Sequence, residues 1–300
     1  MRGGMLCWVP VNKWRLTMCK FNENLNMSVN EVEQALEEKW KNATIANNFI
    51  FYKVMRNNPD VCKELLEILL QIKIDHIEMK SEEIVEVDYG KKGIRMDVYA
   101  AGSDNAFDLE MQATDKGDLP ERARYYQGIL DVQELYAGED YRTLKDSYVI
   151  FICIPDIFDK GLAKYTFENM CIENPDIKLN DRTYKLFFIA NNYDKILDEK
   201  QKAFLKLVIS NDASSGPSDS FTKKISKLVE EAKINSQWRK QFMEWEREMA
   251  IRFREGKREA RIEAAIELLK EHISPEIIAK CENLSLDEVL ELQKQITITA

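Results

Sequence analysis

Histidine is almost missing from this chain of 300 residues, which holds only His76 and His272. Imidazole-based zinc sites and Ser-His-Asp triads therefore have almost no raw material, and any metal chemistry must come from carboxylates. Glycine and proline are sparse, at 11 and 7 residues, too few for a collagen-like or low-complexity chain. No apolar run reaches the ~18–20 residues of a membrane helix. The N-terminal apolar stretch Met5–Val9 is short, is broken by Pro10 and is followed by Lys13 and Arg15, so no signal peptide is expected. The six cysteines, at positions 7, 19, 62, 153, 171 and 281, form no CxxC pair. Cys62, Cys153 and Cys281 sit in apolar patterns where a thiol acts as a small hydrophobe, so a reducing, cytoplasmic setting is expected.

What is present describes a chain that buries a core: 45% hydrophobic and 10% aromatic residues, with room for one large domain or two smaller ones. The net charge is −9, from 43 basic and 52 acidic residues. That balance argues against a broad basic surface gripping many phosphates, though not against a local site. Residues 221–300 carry 15 basic and 15 acidic residues, so the whole deficit lies in 1–220.

Periodicity divides the chain. Residues 1–28 show no clean period and read as a loosely ordered arm. Helices are predicted over Val29–Trp40, from Thr44 to about Asn57, and over Val61–Leu70. Period two then sets in, with strands predicted at Ile72–Ile77, Ile84–Val87, Ile94–Ala100 and Phe107–Ala113 as an antiparallel meander. Asp118-Leu119-Pro120-Glu121 carries the signals of a helix start with a side-chain cap, running to about Ala137. The apolar runs Tyr148–Ile154 and Tyr184–Ala190 read as buried strands, and Leu197–Ile209 as helix. Residues 29–209 thus form an α/β layered domain. Residues 210–220 have linker composition. Residues 221–300 read as an all-helical tail: a long charged helix over Phe221–Lys270, then short helices at Glu276–Cys281 and Leu286–Gln295. Gly256, Ala260 and Ala264 recur every four residues on the long helix, which reads as a self-associating helix, with a single solvated helix as the alternative. The two short helices have the length of a helix-turn-helix, but Asp287, Glu288 and Glu291 on the second favour protein packing over DNA reading.

The most informative pair of segments is Arg95–Tyr99 and Asp108–Gln112. Alternation puts Asp108, Glu110 and Gln112 on one face and Leu109 and Met111 on the other. With a two-residue turn at Ser103-Asp104, Asp97 stands opposite Glu110 and Tyr99 opposite Asp108. Two carboxylates about 5 Å apart across a ladder invite a hard divalent cation, magnesium first. Alternation alone also fits a solvated polar face.

Asp97 followed by Glu110-Met111-Gln112 resembles the PD-(D/E)XK nuclease core, in the variant with Gln in place of Lys. Further blocks, Thr44–Phe51, Lys53–Met55, Cys62–Leu66, Ile94–Tyr99, Leu119–Gln127 and Tyr148–Cys153, resemble the Rpn family of recombination-promoting nucleases, also called PD-(D/E)XK family transposases. The resemblance spans about 44–210.

It implies a restriction-endonuclease-like core, a mixed sheet flanked by helices, and a magnesium-dependent DNA endonuclease linked to recombination and mobile elements, with manganese as the alternative ion. Asp97, Glu110 and the Met111 carbonyl would bind the metal, which would polarise the scissile phosphate and lower the pKa of a bound water. Gln112 would orient that water or contact the phosphate. Arg122 and Tyr126 lie one helical turn apart and would face phosphate oxygens, with Arg124 and Gln127 as a neighbouring stripe. Asn48 stands where this family usually has an acid; it serves either as a weakened member of the site or as a helix cap. The expected partners are DNA and further copies of the chain through the C-terminal helices, with no membrane. The other reading is a catalytically weakened nuclease fold kept as a DNA-binding or protein-interaction module.

Overall fold

The computed structural model describes residues 29–80, 98–115, 117–211 and 220–299. The predicted strand at Ile84–Val87, the segment 94–97 with Asp97, and the arm 1–28 lie outside the described residues. The chain divides into two compact units, Trp40–Arg239 and a second that joins the residues up to Lys39 with Lys240–Ala300.

Helix α1 (Val29–Lys41) is followed by α2 (Asn48–Asn57) and α3 (Pro59–Leu70). The predicted start at Thr44 is four residues early, because Thr44 closes a turn instead: its carbonyl accepts from Asn47 N–H and its hydroxyl from Ala46 N–H. Asn47 then caps α2, its Oδ1 accepting from Ile50 N–H at 3.2 Å. Pro59 occupies the first turn of α3, where a missing N–H costs nothing, and Gln71 ends the helix in the left-handed region. That reversal undoes the strand predicted at Ile72–Ile77. Ile74 N–H is taken by the Glu67 carboxylate at 2.9 Å, and only β1 (Glu78–Met79) joins the sheet.

Strands β2 (Val98–Ala101) and β3 (Asn105–Gln112) form the predicted hairpin in the predicted register, Tyr99 opposite Asp108 and Val98 opposite Leu109. Gly102 N–H donates to Asn105 O at 2.8 Å across the Ser103-Asp104 turn. A Cβ at Gly102 would lie 2.9 Å from the His76 carbonyl oxygen, so this close approach requires glycine. β4 (Asp146–Cys153) runs parallel to β3, and β6 (Thr183–Ile189) runs parallel to β4. The short strand β5 (Lys164–Phe167), which the sequence reading does not contain, adds antiparallel to β6. The strand order is β1-β2-β3-β4-β6-β5, a mixed six-stranded sheet flanked by helices, as the resemblance implies.

Helix α4 (Leu119–Glu134) covers one sheet face. Its Ala123, Tyr126, Ile129 and Leu130 share a core with Val149, Phe151, Cys153 and Phe187 of β4 and β6. Rings line up along this layer, Tyr126 on Phe151 (6.2 Å between centroids) and Phe151 on Phe187 (5.3 Å). Burying each such ring contributes about 1.5–3 kcal/mol. A second row, Phe107, Tyr148 and Tyr184, stacks across β3, β4 and β6 at 5.5 and 4.9 Å. Asp118 holds the cap position of α4 but makes no side-chain cap hydrogen bond, and the helix stops three residues before the predicted Ala137.

Helix α5 (Glu199–Ser210) packs on α3, and helix α6 (Ser220–Ile234) packs on α2 and α5. Gln201 on α5 is buried and donates through Nε2 to the carbonyls of Ile68 and Leu69, both at 3.0 Å, closing the C-terminal end of α3. Gln201→Leu would leave two buried carbonyls without their donor. A loss of about 2 kcal/mol in urea unfolding is expected, from the ~1–3 kcal/mol cost of an unsatisfied buried group.

The predicted Phe221–Lys270 helix is two helices, α6 and α7 (Ser236–Lys270), because Asn235 breaks it and accepts from Trp238 N–H at 3.0 Å as a new cap. Within the unit containing Lys240–Ala300, α8 (Pro275–Glu282) and α9 (Leu286–Thr299) fold back on the end of α7 around Ala265, Leu269, Ile278 and Val289. Ser285 and Glu288 form a reciprocal capping box at the start of α9. No described helix is long and apolar enough to cross a membrane.

The cysteines sort by burial. Burial pushes the Cys62 and Cys153 thiols up to about 12, for Cys153 with the charge of Asp115 adding, whereas Cys281 is exposed. At pH 8 the thiolate fraction of the buried pair is on the order of 1 in 10⁴. Among the described cysteines, a disulfide reagent at pH 8 should therefore label Cys281 and the partly exposed Cys171 in the native protein and reach Cys62 and Cys153 only on unfolding, as read by peptide mass spectrometry.

Candidate active site

Even-numbered positions of β3 point toward α4. Asp108, Glu110 and Gln112 project from that face into the protein interior, and all three are buried, Glu110 to 1% exposure. The solvated-face alternative is therefore excluded. Arg122, in the first turn and a half of α4, reaches down onto this row. Its guanidinium donates to Glu110 Oε2 at 3.0 Å, to Gln112 Oε1 at 3.2 Å, and to the Tyr126 hydroxyl oxygen at 3.0 and 3.3 Å. Gln112 Nε2 in turn donates to the same Glu110 Oε2 at 3.2 Å. The guanidinium carbon lies 5.3 Å from the Tyr126 ring centroid and 5.7 Å from that of Phe151, so the cation is also seated against two π-faces.

This arrangement fixes the amide of Gln112. Its oxygen must face Arg122 and its nitrogen Glu110, since a guanidinium only donates and a carboxylate only accepts. Gln112 carries no charge, so the positive charge beside Glu110 comes from Arg122 on the neighbouring helix. Burial alone would lower the Arg122 pKa, but the hydrogen bond to the Tyr126 hydroxyl oxygen and the charges of Glu110 and Asp118 raise it above the ordinary arginine value. The guanidinium is a permanent cation here. Burial pushes the Tyr126 hydroxyl well above the usual phenol range, with the Glu110 charge and, more weakly, that of Asp108 adding to it and Arg122 opposing. Tyr126 is therefore a neutral hydroxyl that accepts from Arg122 and keeps its own proton to donate.

The structure brings together four of the predicted site residues, Glu110, Gln112, Arg122 and Tyr126. Met111 is buried on the opposite face of β3. Arg124 and Gln127 do not share a stripe: Arg124 is exposed, whereas Gln127 is buried and donates to the Ser147 hydroxyl on β4. Asn48 is the first residue of α2, capped by Asn47, and α2 packs against β2 and β3. Asp97, whose predicted partner is Glu110, lies outside the described residues. The sequence reading singles out neither Asp108 nor Asp118 as site residues. Asp108 shares the period of Glu110 and Gln112, and Asp118 stands four residues before Arg122 at the start of the same helix, its carbonyl accepting from Arg122 N–H at 2.9 Å, so both were accessible to sequence spacing.

Among the described residues no group of three or more His, Cys, Asp or Glu side chains could hold a metal ion. The donor chemistry nonetheless fits a hard divalent ion. The buried carboxylate of Glu110 and the main-chain carbonyl oxygens are the kind of oxygen ligand such ions select, whereas the Gln112 amide oxygen is already held by Arg122.

Compared with known protein families, residues 46–248 match the PD-(D/E)XK nuclease family transposase. The match covers more than half of the chain, and it contains β2 to β6, α4 and the Glu110–Arg122 cluster. The chain belongs to the PD-(D/E)XK nuclease family transposases. Comparisons with curated proteins and with solved structures returned no match.

Proposed function

We propose that this protein is a divalent-metal-dependent DNA endonuclease that hydrolyses phosphodiester bonds, acts in the cytoplasm and takes magnesium as its ion, with manganese as the substitute. The observation that carries this reading is the buried Glu110–Gln112–Arg122 cluster on β3 and α4, inside the span that matches the family. Asp97, Glu110 and the Met111 carbonyl are the proposed metal ligands. A bound divalent ion would supply Lewis-acid polarisation of the phosphate and activation of water. Arg122 holds the Glu110 carboxylate in place and provides the fixed positive charge that Lys gives in the commoner form of the motif. Gln112, oriented by Arg122, steadies the same carboxylate, and Tyr126 presents a neutral hydroxyl donor. Exposed Arg124 is the proposed contact to the DNA backbone beyond the cluster. Residues 29–209 are the proposed nuclease domain, and the helical tail over 221–300 is proposed to oligomerise the protein, with Met249, Ile251 and Phe253 exposed on α7.

The test is plasmid cleavage by purified protein with magnesium or manganese, compared with chelator and with Asp97→Ala. Cleavage that needs the ion and disappears in the variant supports the reading; cleavage that survives Asp97→Ala rejects the assigned site.

A second reading, a weakened nuclease fold serving as a binding module, is favoured by two observations. Asn48 carries no charge where the family usually has an acid, and Arg122 already neutralises Glu110. An inactive parent protein that gains cleavage on Asn48→Asp would select this reading.

A further inference from the structure

Strand β5 is the terminal strand of the sheet, and among the described strands only β6 pairs with it. Its backbone can be divided by direction. Ile189 N–H donates to Ala163 O at 2.8 Å, and Lys164 stands opposite Phe188 in the same antiparallel ladder. Because inward and outward residues alternate in such a ladder, the N–H and C=O groups of Ala163, Tyr165 and Phe167 face β6. Those of Lys164, Thr166 and Glu168 face away from the sheet.

The side chains alternate as well. Tyr165 and Phe167 lie on the α4 face, packed with Phe158 at 4.7 and 5.2 Å between ring centroids. Lys164 lies on the other face, its amine 5.3 Å from the Phe188 ring centroid. The chain then continues into a two-stranded arm, held by Cys171 N–H to Ile177 O and Leu179 N–H to Asn169 O, both at 2.9 Å. The base is anchored where Tyr165 donates to Asp156 at 2.9 Å and Asp156 accepts from Gly161 N–H at 2.7 Å.

Edge strands that stay single are blunted by shortness, charges, prolines or bulges. β5 is short and carries Lys164 but no proline, and the ribbon around and beyond it is apolar on its exposed side. Leu162, Phe167, Met170, Ile172, Ile177 and Leu179 are all exposed, Ile172 to 90%. A run of exposed apolar residues along one ribbon marks a contact surface.

We infer that two copies of this chain join edge to edge through β5, antiparallel about a two-fold axis at Thr166, into a continuous sheet. The segment Lys164-Tyr165-Thr166-Phe167-Glu168 is self-complementary about that centre. Thr166 faces its own copy, Tyr165 faces Phe167, and Lys164 faces Glu168, each pair occurring twice, as an isologous interface demands. The residues brought opposite each other at the centre and ends, Thr166 and the Lys164/Glu168 pairs, are the ones whose backbone groups point outward, so they can form the hydrogen-bonded pairs of the new ladder. Extending the register brings exposed Leu162 opposite exposed Met170. Moving the centre to Tyr165 or Phe167 sets Lys164 or Glu168 opposite Thr166 and separates the charges. Lys164 also gains from the pairing: burial holds its pKa below the ordinary lysine value, and a carboxylate across the ladder favours its charged form. Glu168 already holds Lys178 of its own arm and would share its carboxylate between two lysines.

The experiment is sedimentation velocity of the full chain from low to high micromolar concentration. In Thr166→Pro the lost N–H is an outward one and edge positions accept proline, so the fold and melting temperature should be retained while the assembly mass halves. Lys164→Glu puts like charges opposite each other twice and should raise the dissociation constant about tenfold or more. The swap Lys164→Glu with Glu168→Lys should restore association. The inference is overturned if the parent protein and Thr166→Pro have the same mass, or if the charge-swapped variant associates no better than Lys164→Glu alone. Because the readout is a halving of mass, any assembly through the C-terminal helices leaves the test intact.

Discussion

Replacing Glu110 by Gln is expected to cut ion-dependent DNA cleavage by about 10³-fold while leaving the fold in place. The substitution keeps the size of the side chain and an oxygen to accept from Arg122 and Gln112, so the packing of β3 under α4 survives. What disappears is the negative charge, and with it the attraction for a divalent ion. Electrostatic stabilisation by such an ion amounts to several kcal/mol, and each 1.36 kcal/mol is a factor of ten in rate. The measurement is the initial rate of plasmid nicking across a magnesium titration, with circular dichroism to follow the fold. A variant within tenfold of the parent at saturating ion would remove Glu110 from the proposed site.

Arg122→Met should have the largest effect on stability, a loss of about 3 kcal/mol in urea unfolding at neutral pH. The Glu110 side chain is 2% exposed and that of Arg122 is 22% exposed. Removing the cation leaves a buried carboxylate without its counter-charge, which costs about 3–5 kcal/mol in fully buried pairs; the partial exposure of Arg122 places this case at the lower end. Contact of the guanidinium with the Tyr126 and Phe151 rings adds to the loss. The double variant Glu110→Gln with Arg122→Met should recover most of the stability, because no buried charge then remains unpaired. Purely additive single effects would instead mean that the pair is energetically idle.

The two predictions share one residue pair, and only half of it was legible in the sequence. The hairpin register followed from two local facts, a two-residue turn at Ser103-Asp104 and alternation of apolar residues. It matches residue by residue, from Val98–Leu109 to Ala101–Ala106. Burial on both faces was readable for β4 and β6 because their apolar runs are continuous. Asp108, Glu110 and Gln112 were ambiguous, since polar alternation looks the same whether water or a helix covers it. What decides is the docking of α4, set by ring packing of Tyr126 on Phe151, a contact between residues distant in sequence. The same limit hid the pairing of Arg122 with Glu110 and the closing of α3 by Gln201. Strand β5 escaped for a different reason: four residues are too few to display a period, and its partner β6 lies beyond the arm. The errors at Thr44 and at Ile72–Ile77 were local. A turn and a left-handed residue overrode apolar spacing that is compatible with more than one structure.

The parallel core of the sheet also sets a timetable for folding. β4 lies between β3 and β6, and its partners are remote along the chain: Asn105 pairs with Asp146, and Ser147 with Thr183. Loop-closure entropy must be met for both pairings before either ladder is complete, which slows folding relative to local hairpins and helices. On the ribosome the β2–β3 hairpin and α4 are complete before β6 has been synthesised. During that interval the strand Tyr148-Val149-Ile150-Phe151-Ile152-Cys153 has only one edge covered. A chaperone-binding or aggregation-prone intermediate is therefore expected at nascent chains ending between β4 and β6, and it should vanish once Ile189 is available to complete the ladder.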